Sequence, residues 1–179
     1  EICACLVGSE MCIRDRDYEI PSNNMCRPGL VLYGFSPIDS PWASQLRPAM
    51  DLFSRLTVVR TLPEGHGISY GGTYVTDHPT RGATVGIGYA DGYLRLLSNR
   101  AEAVIHGRLC PIRGRICMDQ FMVDVSHIKE AAIGDTVTIF GKDGEKNIPV
   151  EEIAEKSHSF NYEFVCSITN RVPRKYLGE

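Results

Sequence analysis

Gly134-Asp135-Thr136-Val137-Thr138-Ile139-Phe140-Gly141-Lys142-Asp143-Gly144 is the stretch that decides the fold. Apolar and β-branched residues fill its middle, Gly-Asp opens it and Asp-Gly closes it. That is the pattern of a β-strand running into a tight hairpin. The same grammar recurs on both sides. Leu56–Leu62, Ala83–Ala90, Ala101–Arg108, Phe121–Val125 and Phe164–Thr169 read as further short strands, together with Thr136–Phe140 itself. Pro63-Glu64-Gly65, Asp91-Gly92 and Gly107 supply breaks between them. Short strands at this spacing predict a mostly-β domain, an antiparallel barrel or sandwich, over residues 46–179. One helix is expected at Pro149–Lys156. Proline suits a first turn, Glu151 and Glu152 suit the positive end of the helix, and Ile153 with Ala154 give an inner face.

Upstream the text changes. Leu30-Val31-Leu32, bracketed by Pro28-Gly29 and Gly34, reads as a short buried strand, and Ser36–Pro48 as a Pro/Ser-rich linker. Residues 1–16 (EICACLVGSEMCIRDR) show neither alternation nor a helical stripe. They read as an artefact or a disordered tail, outside the fold.

Bulk composition narrows the class. The chain has 179 residues, 43% hydrophobic and 23% charged, the balance of a soluble globular protein. A formal net charge of -3 without a Lys/Arg cluster argues against a nucleic-acid partner. The apolar runs are too short for a membrane span, and no secretory signal is legible. Seven cysteines, an odd and scattered set, suggest a reducing compartment, hence the cytoplasm. Cys3-x-Cys5 with Cys12 lacks a fourth ligand at sensible spacing, so no metal site is expected.

Four clusters could do chemistry. They are Gly67–Tyr74 (GISYGGTY), Gly88–Arg95 (GYADGYLR), Arg113–Gln120 (RGRICMDQ), and Asn161-Tyr162-Glu163 with Arg171-Val172-Pro173-Arg174. Glycines flanking Tyr70 suggest a bent backbone that aims the phenol. Each cluster also has a plain reading. Tyrosines in β-domains are usually packing residues with a satisfied hydroxyl, and Arg–Asp pairs at a surface contribute little.

At these residues the chain resembles a known family. ISYGGTY, GYADGY, GRICMDQFMVDV and NYE…RVPR, in this order, are similar to the C-terminal domain of alanine racemases, and RPGLVLYG (27–34) resembles the end of that family's N-terminal (β/α)8 barrel. The resemblance runs from Asn24 to Leu177. It implies that residues 17–45 are a remnant of a cofactor-binding barrel, including its last strand, and a linker. It implies pyridoxal 5'-phosphate as cofactor, a small amino acid as substrate, and a homodimer whose subunits share each site. Tyr70 matches the acid/base on one face of the substrate's α-carbon, and a lysine on the other face has no counterpart in this chain. Arg27 matches the partner of the cofactor's pyridine nitrogen. Gly29 and Leu30 match backbone groups near its phosphate, and Tyr162 a hydroxyl at that phosphate. Met118 matches a backbone donor to the substrate carboxylate, with Asp119 close by. Tyr89, Arg95, Arg115 and Phe160 match positions at the substrate entrance. The resemblance further suggests D-alanine supply for peptidoglycan.

Chemistry makes these roles coherent. Inverting a carbon centre requires a proton removed from one face and returned to the other, so two bases must flank it. A phenol's ordinary pKa of about 10 is high for a base at neutral pH, and nearby positive charge lowers it. Arginine at a pyridine nitrogen donates a hydrogen bond but does not give up its proton, which restrains side reactions. The cofactor lysine is expected in a part of the family that this chain does not match, so the chain alone is expected to be inactive. Two alternatives stay open: a racemase for serine or a broader set of amino acids, and a β-domain that binds a partner without chemistry.

Overall fold

The computed structural model describes residues 29–35, 41 and 43–178. Two compact units are present, Glu1–Met50 and Asp51–Glu179. Arg27 and the tail of residues 1–16 lie outside the described residues.

In the first unit, Gly29–Tyr33 is a 3₁₀ turn with Leu30 buried, where the sequence reads as a strand. Gly29 has φ 52 and starts the bend. The Gly34 N–H then donates to the Val31 carbonyl at 3.0 Å, closing the chain on itself. The Phe35 N–H likewise donates to the Leu30 carbonyl at 3.4 Å, so these bonds run within the turn.

Among its described residues the second unit contains nine strands: β1 (Leu52–Leu62), β2 (Gly67–Ile68), β3 (Tyr74–Val75), β4 (Thr80–Val85), β5 (Glu102–Ile105), β6 (Arg108–Arg113), β7 (Phe121–Asp124), β8 (Thr136–Asp143) and β9 (Lys146–Ile148). Two helices follow, α1 (Val150–Lys156) and α2 (Asn161–Ser167). The sheet runs β1-β4-β7-β6-β5-β8-β9, and β1 also pairs with β8. The ring β1-β4-β7-β6-β5-β8 is therefore closed, an antiparallel barrel without an open edge between those six strands. β9 extends β8 as a hairpin turned by Asp143-Gly144.

Closure depends on β1. Its first part, Leu52–Arg55, pairs with β8, and its second part, Leu56–Leu62, pairs with β4. Register shifts at Leu52/Phe53 and Leu56/Val58 let the strand bend from one partner to the other.

Burial follows from what covers each face. β7 alternates, with Phe121 and Val123 inside and Met122 and Asp124 half-buried, because only one face meets the core. In β8, Val137 through Phe140 are all buried. One face of β8 meets the barrel interior, and the other carries the helices. Phe140 meets Phe164 of α2 edge-on, their ring centroids 5.8 Å apart, and Phe164 meets Tyr93 likewise at 6.4 Å.

The helix expected at Pro149–Lys156 forms, with Pro149 as its N-cap. The strand expected at Phe164–Thr169 does not: Asn161–Ser167 is helical, and the chain turns extended at Ile168. Its β-type residues mislead because burial decides here. Phe164 and Val165 are both buried on the inner side of α2, which a helix laid on the barrel satisfies without any strand neighbour. Among the described residues, no helix is long and apolar enough to cross a membrane.

Candidate active site

Two connections out of the barrel strands meet: Gly86–Gly92, which follows β4, and Gly114–Gln120, which joins β6 to β7. Tyr89 N–H donates to the Cys117 carbonyl and Ala90 N–H to the Met118 carbonyl, both at 3.0 Å. Gly88 permits this contact, since a Cβ there would lie 2.3 Å from both carbonyl oxygens. The Met118 carbonyl is thereby occupied, while its N–H has no hydrogen-bond partner among the described residues.

Asp91 fastens the first loop from inside. It is buried, and its carboxylate accepts the Gly88 N–H at 2.9 Å. Arg171 reaches the other Asp91 oxygen with Nε at 3.2 Å, and its Nη2 donates to the exposed Asp119 carboxylate. The hydrogen bond with Asp119 holds the Arg171 guanidinium above its ordinary pKa. One guanidinium thus ties a buried carboxylate to one at the surface. The C-terminal segment adds further braces: Thr169 Oγ1 donates to the Ala90 carbonyl at 3.1 Å, and Ser167 Oγ to the Gly92 carbonyl at 2.9 Å. Arg174 then donates to the carbonyls of Ile168, Thr169 and Val172. The RVPR stretch does its work here by holding loops in place.

The third contributor is the turn between β2 and β3, Ser69 to Thr73. Its ends are joined by the short β2–β3 hairpin, Ile68 opposite Tyr74. The Arg115 guanidinium lies over Gly71, with Nη1 3.2 Å from where a Cβ would be. Tyr70 stands out from this turn, 72% exposed. An open hollow is lined by Ser69, Tyr70, Cys117, Met118, Asp119 and Gln120.

The structure thus brings together Tyr70, Met118 and Asp119, with Arg115 against the Tyr70 turn. Tyr89 joins them through its backbone, its ring exposed. Arg95 begins a separate 3₁₀ turn, Arg95–Leu97, and does not line the hollow. Phe160 and Tyr162 sit at the start of α2, their rings 6.0 Å apart, and are likewise outside the lining. Gly29 and Leu30 belong to the first unit. Reading the sequence did not single out Ser69, Cys117 or Asp91, although each lies inside a motif. Only the fold shows that their side chains turn toward a neighbouring loop. Among the described residues, no cluster of three or more His, Cys, Asp or Glu could hold a metal.

The fold defines a class, a closed antiparallel β-barrel domain, and one hollow on it presents an exposed phenol and a tethered carboxylate. Comparison with known proteins names the family. The alanine racemase C-terminal domain model matches residues 49–176. The alanine racemase of Halothermothrix orenii is 46% identical over 157 residues, which is 87% of this chain and 41% of that protein. The crystal structure of alanine racemase from E. faecalis superposes with a TM-score of 0.80 at 40% identity, covering 86% of this chain and 41% of that one. Alanine racemase from Bacillus anthracis with bound L-Ala-P gives a TM-score of 0.77 at 38% identity, covering 84% and 39%. The chain belongs to the alanine racemase family and corresponds to its C-terminal part. It spans about two fifths of the length of these relatives, 41% of the first.

Proposed function

We propose that this chain supplies one of the two proton-transferring groups of an alanine racemase, Tyr70, acting on one face of the α-carbon, while a lysine of the barrel half acts on the other. The observation that carries this reading is the placement of Tyr70 beside Met118 and Asp119 in one hollow. An exposed phenol on a turn pinned from both sides is poor packing but a serviceable acid/base. The Arg115 guanidinium over Gly71 places positive charge next to that turn.

The other residues divide the remaining tasks. The Met118 N–H, without a hydrogen-bond partner among the described residues, suits a substrate carboxylate. Asp119, tethered by Arg171, orients the hollow's rim. Tyr89, Arg95, Arg115 and Phe160 would line the entrance. Pyridoxal 5'-phosphate would be held by Tyr162, by the backbone of Gly29 and Leu30 and, at its ring nitrogen, by Arg27. Phenol and amide donors suit a phosphate, and Tyr162 is half-buried, so these residues fit part of the group. When bound, that cofactor withdraws electrons from the substrate's α-carbon and makes its hydrogen removable. In the present chain Tyr70 then gives or takes the proton at its phenolic oxygen.

Residues 17–45 would belong to the barrel half and residues 46–179 to the β-domain. The exposure of Tyr70, Tyr89 and Met118 suits a surface covered by a partner subunit, as in a homodimer with shared sites. The physiological role would be D-alanine supply for peptidoglycan in the cytoplasm.

The test joins residues 24–179 to the barrel half of the E. faecalis racemase and measures alanine racemisation with Tyr70→Phe beside the parent. The chimera should turn over, and Tyr70→Phe should fall by at least about 100-fold while the bound cofactor's absorbance persists. The 179-residue chain on its own should show no turnover. A Tyr70→Phe chimera as active as its parent would make Tyr70 a packing residue.

A further inference from the structure

Ser69 occupies a backbone conformation that serine rarely adopts. Its φ of 63 and ψ of -174 fall in a region that is essentially reserved for glycine. A glycine would adopt this backbone without strain. The position nonetheless carries a hydroxyl, and the structure shows where the hydroxyl goes. Ser69 Oγ donates to the Arg115 carbonyl at 2.6 Å and lies 3.3 Å from Cys117 Sγ.

The neighbouring residues are gripped by the same loop. A Cβ at Gly114 would meet the Ile68 carbonyl oxygen at 2.6 Å, so these backbones are in direct contact. Beyond Tyr70, Gly71 lies under the Arg115 guanidinium. Ile68, Ser69 and Gly71 are therefore all held by Gly114–Cys117. Tyr70, in their midst, projects into the hollow that the same loop helps to line.

We propose that Ser69 is a positioning residue for Tyr70: its hydroxyl, locked to the Arg115 carbonyl, holds a strained backbone whose direction sets where the phenol points. This rests on the reading of Tyr70 as a proton-transferring group. The strain matters because strained conformations persist only where surrounding contacts over-determine them. Release of the hydroxyl lets the turn relax and re-aims the next residue.

The test begins with the 179-residue chain itself, ¹⁵N-labelled, as the parent and as Ser69→Gly, Ser69→Ala and Ser69→Thr. In the parent and in Ser69→Thr, which keeps the hydroxyl, the Tyr70 and Gly71 amides should have order parameters near about 0.85. In Ser69→Gly and Ser69→Ala they should drop below about 0.6 with the rest of the spectrum unchanged. Ser69→Gly carries no backbone strain, so its loss of order cannot be blamed on misfolding. Rigid amides in Ser69→Gly, or mobile ones in the parent, would overturn the proposal.

The second arm uses the chimera in D₂O and follows α-hydrogen exchange from each alanine enantiomer separately. Ser69→Gly should slow exchange about tenfold or more from one enantiomer only, the same one that Tyr70→Phe slows, with KM nearly unchanged. Equal slowing of both enantiomers would mean a merely structural role and defeat the proposal. If Tyr70→Phe itself shows no one-sided loss, the functional reading of Tyr70 fails, and the amide measurement still decides what Ser69 does to the turn.

Discussion

Two tyrosines from neighbouring motifs meet opposite fates, and the difference lies in their surroundings. Tyr70 projects from a turn into the hollow. Tyr93, from GYADGY, is fully buried, stacked on Phe121 with ring centroids 5.2 Å apart. Its hydroxyl has no hydrogen-bond partner among the described residues, and burial pushes its pKa well above the ordinary tyrosine value. An unsatisfied buried hydroxyl costs about 1–3 kcal/mol. Tyr93→Phe should therefore raise stability by roughly 1 kcal/mol, read as a higher urea midpoint with unchanged slope. A midpoint that falls would show that the hydroxyl is bonded. Tyr93 is a packing residue, as the plain reading of a motif tyrosine has it, but without the satisfied hydroxyl that reading includes. For Tyr70 it does not account for the exposure. Sequence spacing alone separates the two poorly, because each has one glycine as an immediate neighbour, Gly71 after Tyr70 and Gly92 before Tyr93.

The loops carry the site, and they act as pairs. Gly86–Gly92 and Gly114–Gln120 are zipped by two backbone hydrogen bonds, with Gly88 at the tightest point. Gly88→Ala would push a methyl into two carbonyl oxygens and should destabilise the domain by about 3 kcal/mol, measured by chemical denaturation. It should also displace Met118, the residue those carbonyls anchor. A stability within a few tenths of the parent would mean that the loops part easily. Much of this level was legible in the sequence. Asp143-Gly144 marked a hairpin and Pro149 a helix start, because turn chemistry and capping are local. Phe164–Thr169 was not legible as a helix, since its apolar residues suit either period and only the Phe140 and Tyr93 rings beneath it decide. Strand β6 was missed beyond Arg108 because Pro111 and Arg113 mask its alternation. The ties from Arg171 to Asp91 and Asp119 span 80 and 52 positions, and no local pattern announces them.

The whole barrel also has a dependence on pH. Cys110 is fully buried, and burial pushes its thiol up to about 12. In the unfolded chain a thiol ionises near about 8.5, so above that pH the unfolded state releases a proton that the folded state retains. A group whose folded pKa is raised contributes stability below its unfolded pKa and loses it as pH climbs toward the folded value. Stability should decline between pH about 8.5 and 12, at up to roughly 1.4 kcal/mol per pH unit from this thiol. Urea midpoints at pH 7.5 and 10.5 would measure it, and Cys110→Ala should flatten the decline. An equal decline in Cys110→Ala would assign the effect elsewhere. The closure of the ring has a consequence for synthesis on the ribosome. Leu52 pairs with Phe140, so the seam joins residues about 90 positions apart, and at roughly 5–20 residues per second the earlier one waits about 4–18 s for its mate. During that interval the start of β1 is an unpaired edge bearing the apolar Phe53. Arg55, charged and two residues further along the strand, is the kind of residue that discourages a neighbouring nascent chain from pairing there first.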